Sequence, residues 1–459
     1  MEYGILCVLP VLTILVVAVA TKHTLFAMTC GLSMAAMILG HGPLGFAGAF
    51  FDNVYAAFLN DSLQWLLIVI AIFGILIHLY DKSGAVSDFG LWCRKFIKTK
   101  KQALLGTFGL GIIIFLDDYL NNLAVGTTMK GITDKLGIPR VQVGYVVNTV
   151  AAPVCLLIPL SSWAVYFATL MGDQGVEING SSMTAYIHGL PFAFYAIFAV
   201  IICLLQICGV IPKVGAMKKA YERYETLGDV FPEGTDPELV ASAKAGDDTD
   251  ENANAKPWNF LIPLVVMIAV TLSTDTDVLM GASAGTLVAC IMYVAEKKMK
   301  FTELLDSCFE GVMSMGFVFV LSLLAFSVQN ANIELGLADY VIAVTSPIMK
   351  GAFLPAAVFL VCGVYAYATG CFWDLAAIII PIVIPLANAM GADPIIVSAA
   401  VFSGATLGSN TCLYGDGVIL ASQGVQIKTL NLMMATLPYA GIAAALSFIA
   451  YIITGFVFM

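Results

Sequence analysis

Four aspartates, Asp117, Asp118, Asp374 and Asp416, stand inside stretches that are otherwise apolar, and no Lys, Arg or His joins them away from the ends of those stretches. A carboxylate at the centre of a membrane helix costs about 2.5–3.5 kcal/mol to insert, so four without basic partners call for bound cations or protons. Oxygen-bearing neighbours reinforce that chemistry. Asn121 and Asn122 follow the first pair within a helical turn, and Asn148, Thr149, Ser161 and Ser162 lie in a run interrupted by Pro153 and Pro159. Thr369 precedes Asp374, and Ser409, Asn410 and Thr411 precede Asp416 in a glycine-rich stretch. Carboxylate, amide and hydroxyl oxygens suit a hard cation such as sodium, or a protonated amine. Asp118, Asp374 and Asp416 are the expected sodium ligands, with sodium or a proton as coupling ion and no other cofactor. Plainer roles compete at some of these positions. Asp117 is equally suited to capping a helix, and Thr149, Ser161 and Ser162 to bonding back onto their own helices.

The elements that must hold these residues follow from composition. Of 459 residues, 60% are hydrophobic and 11% charged, with a mean hydropathy of +0.93. A soluble domain carries about twice that charge. The chain therefore reads as an all-α polytopic membrane protein whose first partner is the lipid bilayer, and a net charge of −10 gives no reason to expect nucleic acid. The eleven cysteines contain no CxxC pair and read as small apolar core residues. Apolar runs place about ten spans, at residues 4–20, 24–40, 63–80, 141–171, 190–211, 258–272, 278–295, 311–328, 394–421 and 432–458. Two further apolar stretches, 103–129 and 353–390, are interrupted by polar residues.

Charge in the flanks decides how those two stretches run. Lys82, Arg94, Lys95, Lys98, Lys100 and Lys101 precede the first, and Lys130, Lys135 and Arg140 follow it, so both flanks belong on the cytoplasmic side. The stretch then enters and leaves on one face, as a re-entrant hairpin with Asp117 and Asp118 near its tip. The second becomes a hairpin from the other face, flanked by Glu334, Asp339 and Asp393. This layout puts all Lys and Arg residues except Lys350 on the cytoplasmic side of the cell inner (plasma) membrane and both termini outside. It also makes two inverted repeats: residues 1–211, with hairpin 103–129 and broken helix 141–171, and residues 258–459, with hairpin 353–390 and broken helix 394–421. A polar cytoplasmic linker, 212–257, joins them. Pro139 falls opposite Pro394, and with that offset Asp118 lies within one residue of Asp374. Inverted repeats with broken elements mark secondary transporters, whose sites form where discontinuous helices meet.

The run Leu116-Asp117-Asp118-Tyr119-Leu120-Asn121-Asn122-Leu123-Ala124-Val125-Gly126, then Ile132-Thr133-Asp134-Lys135, Ala151-Ala152-Pro153-Val154-Cys155 and Pro159-Leu160-Ser161-Ser162-Trp163, resembles the NhaC-type sodium/proton antiporters of the ion transporter superfamily. Thr369-Gly370 and Trp373, with residues 378–385, look like that family's second hairpin. Where the family has Gly-Asp-His-Cys-Ser-Pro-Ile-Ser-Asp-Thr-Thr, this chain agrees only at Gly408 and Asp416, and Asp374 replaces a common glycine. The resemblance implies a cation-coupled antiporter, an elevator-type arrangement in which hairpins and broken helices move against a scaffold, and a homodimer. The departures leave the cargo open. A second reading is a sodium- or proton-coupled transporter of a small organic solute: an amino acid, an amine or a small hydroxy acid. A channel would not need inverted hairpins with broken partners, and no HExxH or comparable catalytic constellation supports an enzyme.

Overall fold

The computed structural model describes residues 3–21, 23–233, 235, 256–274, 277–345, 350–369, 372–413 and 415–458. The side chains of Thr369, Asp374 and Asp416, Gly370 as a whole, and residues 236–255 of the expected linker, lie outside that description. Among the described residues the regular elements are helices, and the one β-type contact is a bridge between Ile178 and Ser181. Six described helices are long and apolar enough to cross a membrane, and shorter apolar helices occupy Gly4–Ile14, Leu25–Leu39, Trp258–Ser273 and Leu375–Met390. Ser182–Phe192 and Phe194–Ile207 form a further apolar pair bent by 51°.

The helices depart from the apolar runs in two ways. Phe46–Phe58, Ala85–Arg94 and Leu337–Thr345 are short helices in stretches with no run long enough to span; interspersed polar residues shorten the apolar signal without breaking the helix. The expected span 311–328 is part of a longer run, Phe301–Ser314 followed by Gly316–Glu334, which interrupts at Met315 and totals 34 residues.

Eight helices carry the candidate residues: α1 (Lys100–Ile113), α2 (Asp118–Lys135), α3 (Arg140–Leu157), α4 (Ser162–Asp173), α5 (Leu354–Thr369), α6 (Trp373–Met390), α7 (Pro394–Thr411) and α8 (Asp416–Val425). Their boundaries follow from local chemistry. Thr99 and Gln102 form a capping box that starts α1. Asp117 caps α2 and Ser161 caps α4. Asp393 accepts from the Ile395 N–H at 2.8 Å, with Pro394 as the first residue of α7. Between α2 and α3, Gly137 turns the chain at a φ of +66°, and a Cβ there would lie 1.9 Å from the Tyr224 hydroxyl, so only glycine fits.

The two sets of four run in parallel. α2 and α6 each have 18 residues, as do α3 and α7. α3 and α4 are separated by residues 158–161, and α7 and α8 by residues 412–415, four in each case. The packing crosses over: α8 lies against α2, and α4 against α6. α3 is buried on every side from Arg140 to Leu156, and α7 nearly so. Helices enclosed all round form the centre of a bundle. α5 approaches α7 closely, since a Cβ on Gly408 would stand 2.1 Å from that of Ala366, the small-residue contact that lets membrane helices pack by van der Waals attraction. Around this core run Asp61–Lys82 against Phe301–Ser314, Thr24–Leu39 against Gly316–Glu334, and Trp258–Ser273 against Val278–Ala295.

Candidate functional site

Residues 114–117, which connect α1 to α2, meet the break between α3 and α4. Asp117 turns one carboxylate oxygen to its own helix, accepting from the N–H groups of Tyr119 at 2.9 Å and Leu120 at 3.2 Å. Its other oxygen accepts from the Ser162 hydroxyl at 3.1 Å, and the Ser162 N–H donates to the Leu116 carbonyl at 2.9 Å. The Cys155 thiol donates to the Phe115 carbonyl at 3.1 Å, and Ser161 Oγ, while capping α4, donates to the Cys155 carbonyl. Asp118, one residue along and with no exposed surface, points elsewhere: its Oδ1 accepts from the indole Nε1 of Trp163 at 2.8 Å. Adjacent residues leave a helix about 100° apart, so the two carboxylates serve different neighbours.

Trp163 also carries the contact to the second hairpin. Its ring stacks on Phe372 with centroids 5.4 Å apart and lies 5.3 Å from Trp373, at the start of α6. Tyr166 and Phe167 close on Trp373 from the side, and Phe167 stacks on Phe402 of α7 at 4.3 Å. One aromatic cluster thus ties α4 to the start of α6 and to α7, and through Trp163 it reaches Asp118 of α2.

Behind this junction, the middle of α3 is joined to the end of α7. Asn148 Nδ2 donates to the Asn410 carbonyl at 2.8 Å, and Asn410 Nδ2 to the Asn148 carbonyl at 2.7 Å. Asn121 Nδ2 donates to the carbonyls of Gly111 at 2.6 Å and Ile114 at 2.8 Å, closing the end of α1. The Asn121, Asn148 and Asn410 amide donors are therefore used, whereas Asn121 Oδ1, Asn122 Oδ1, Thr149 Oγ1 and Asn410 Oδ1 are buried without a hydrogen-bond partner. The two α2 amides lie against different helices. Gly111 of α1 faces Asn121 Oδ1, and Gly417, at the start of α8, faces Ser409 Oγ and Asn122 Nδ2. A buried polar atom left unpaired costs about 1–3 kcal/mol, and oxygens left in that state are complementary to a cation.

Other expected residues have local roles. Thr411 Oγ1 bonds back to the Leu407 carbonyl, Ser161 both caps α4 and donates to the Cys155 carbonyl, and Ser162 donates to Asp117. Among the described residues, no three His, Cys, Asp or Glu side chains gather as a metal cluster; of the three expected sodium ligands only Asp118 has a described side chain. Trp163 and Cys155 are junction residues that the reading by charge and oxygen content passes over. The signal for them is that both stand in the motifs that resemble the antiporter family, Ala151–Cys155 and Pro159–Trp163.

The sequence profile of the Na+/H+ antiporter family matches residues 154–456. The chain belongs to that family. It is a secondary transporter and a multi-pass membrane protein. The match starts just beyond Pro153, so the motif Leu116–Gly126 precedes it. An uncharacterized protein of Haemophilus influenzae is 24% identical over 98% of this chain and 91% of its own length. Two solved structures share the fold at 13% identity. The YdaH transporter of Alcanivorax borkumensis has a TM-score of 0.58 over 88% of this chain and 87% of its own. Neisseria gonorrhoeae MtrF, described as one of a class of antimetabolite efflux pumps, has a TM-score of 0.58 over 88% of this chain and 83% of its own.

Proposed function

We propose that this family member is a cation-coupled antiporter of the NhaC type in the plasma membrane, exchanging sodium against protons. The observation that carries this reading is the set of buried oxygens, Asn121 Oδ1 and Asn122 Oδ1 on α2, Thr149 Oγ1 on α3 and Asn410 Oδ1 on α7, that have no hydrogen-bond partner. Amide and hydroxyl oxygens of this kind replace the hydration shell of a hard cation. Asp118 stands one turn from Asn121 on α2 and supplies the charge, with Asp374 of α6, Asp416 of α8 and Ser409 of α7 as further ligands. The matched lengths of α2 with α6 and of α3 with α7 support inverted repeats, 1–211 and 258–459, joined by a cytoplasmic linker, with both termini outside. In that arrangement the two hairpins and two broken helices travel together against the remaining helices as an elevator, within a homodimer.

Sodium should raise the melting temperature of the purified protein, because a ligand that binds only the folded state stabilises it by about 2.7 kcal/mol at a hundredfold excess over its Kd. Potassium or choline at equal ionic strength should do less, and equal melting in all three salts removes sodium from the mechanism. Proteoliposomes with imposed sodium and proton gradients then test exchange itself.

A second reading, a coupled transporter of a small organic solute, is favoured by a separate observation: a cavity too large for a bare ion opens beside the junction.

A further inference from the structure

A cavity of about 440 Å³ separates the face of α2 from the surrounding helices. Its walls come mainly from α2 and its cap Asp117, with Tyr119, Leu120 and Leu123, and from the end of Asp61–Lys82, with His78 and Asp81; the interruption at Met315, the helix Ala85–Arg94 and α8 complete them. The volume is that of a small-molecule site, which typically spans about 300–1,000 Å³, and far exceeds what one ion needs.

The charges are uneven. Asp117 and Asp81 both line the cavity. Asp81 has no ion pair among the described residues. The one basic group in the wall, His78, is held by Glu310 at 3.0 Å, and Lys82 beside it turns to the same carboxylate at 3.5 Å. The hydroxyls are also engaged: Tyr80 donates to the Phe260 carbonyl, Thr127 to that of Leu123 and Ser314 to that of Gly311. What remains for a ligand is apolar and aromatic surface with the exposed Asp81 carboxylate beside it, since both Asp117 oxygens are already bonded to the Tyr119 and Leu120 N–H groups and the Ser162 hydroxyl. An anionic solute would find no free cation here.

We propose that this cavity binds a small organic cation, a primary amine with an apolar or aromatic body, as the solute the transporter carries. The ammonium group lies against the Asp81 carboxylate, and the body lies along the Tyr119 ring and the side chains of Leu120, Leu123 and Met315. Ring faces attract ammonium groups as well as burying apolar area. The proposal rests on the transporter reading but not on sodium as the coupling ion.

The test is binding to the purified full-length protein in lipid nanodiscs, with 2-phenylethylamine as probe and 3-phenylpropanoate and 2-phenylethanol as matched anionic and neutral controls. The amine should bind at least about tenfold more tightly than either control. Asp81→Asn, at an exposed position, should weaken it about fivefold, the worth of one partly solvated ion pair. Leu123→Trp should fill the cavity and abolish amine binding while the melting temperature still rises with sodium, since Leu123 has no part in the oxygen cluster. Equal binding of the anion or the alcohol, no binding of the amine, or amine affinity unchanged by Leu123→Trp overturns the proposal. If the amine pattern holds and the sodium response is absent, the ion assignment fails alone. If sodium stabilises and the amine pattern fails, the cavity assignment fails alone.

Discussion

Trp163 offers a clean perturbation of Asp118. Its indole N–H is the donor to Asp118 Oδ1 at 2.8 Å, and both side chains are fully buried. Trp163→Phe removes that donor while leaving an aromatic ring to stack on Phe372 and Trp373. Two losses add: packing from the smaller ring, and the hydrogen bond itself. A bond to an ionised group is worth about 1.5–3 kcal/mol and a neutral bond about 0.5–1.5 kcal/mol. Repeating Trp163→Phe in an Asp118→Asn background subtracts the packing loss, because the amide keeps an acceptor of the same shape and only the charge is gone. The difference between backgrounds should be about 1–1.5 kcal/mol if Asp118 is ionised in the resting protein, and close to zero if it is protonated. Denaturant unfolding in mixed micelles, extrapolated linearly, reads these differences. A loss below about 0.5 kcal/mol for Trp163→Phe in the unaltered protein would refute the premise that the indole holds this carboxylate.

Other outcomes test the layout and the site. Asp118→Asn should abolish coupled transport with the protein folded and inserted, and Asp374→Asn should change which species is carried; near-normal uptake by both amide variants at matched expression would sink the site assignment. In a cysteine-free background, Glu222→Cys should be labelled only from the cytoplasm and Glu177→Cys only from outside, and labelling of both from one face would remove the inverted repeat. Asp134→Ala should destabilise the fold by about 3–5 kcal/mol, because Arg140, bonded to Asp134 at 2.6 Å and to the Val425 carbonyl at 3.1 Å, would be left charged and buried; a variant that unfolds like the parent protein would show that water reaches the guanidinium.

What could be read from the chain alone is what depends on neighbours in sequence. Pro153, Pro159 and Ser161 announce a break because proline removes a donor and serine caps the next helix, and the helix does stop at Leu157 and restart at Ser162. Asp117 and Asp118 are visible as carboxylates in an apolar setting, but their division of labour is not: which one caps and which one faces Trp163 is decided by rotation about the helix axis. Partners far apart in the chain were out of reach altogether. Asn148 and Asn410 exchange bonds across 262 residues, and Trp163 reaches Asp118 across 45. The same limit explains the oxygen cluster. Asn121, Asn122, Thr149 and Asn410 are each unexceptional residues, of types that can satisfy their own helix, as Thr411 does with Leu407. Only the fold shows that the Asn121 and Asn410 amide donors are spent on carbonyls of other segments, and that their oxygens, with those of Asn122 and Thr149, are buried without partners. In the hydrocarbon region an acceptor cannot be satisfied by solvent. The pattern that matters for ion coupling is therefore this surplus of buried oxygens, and it comes into being only when the helices pack.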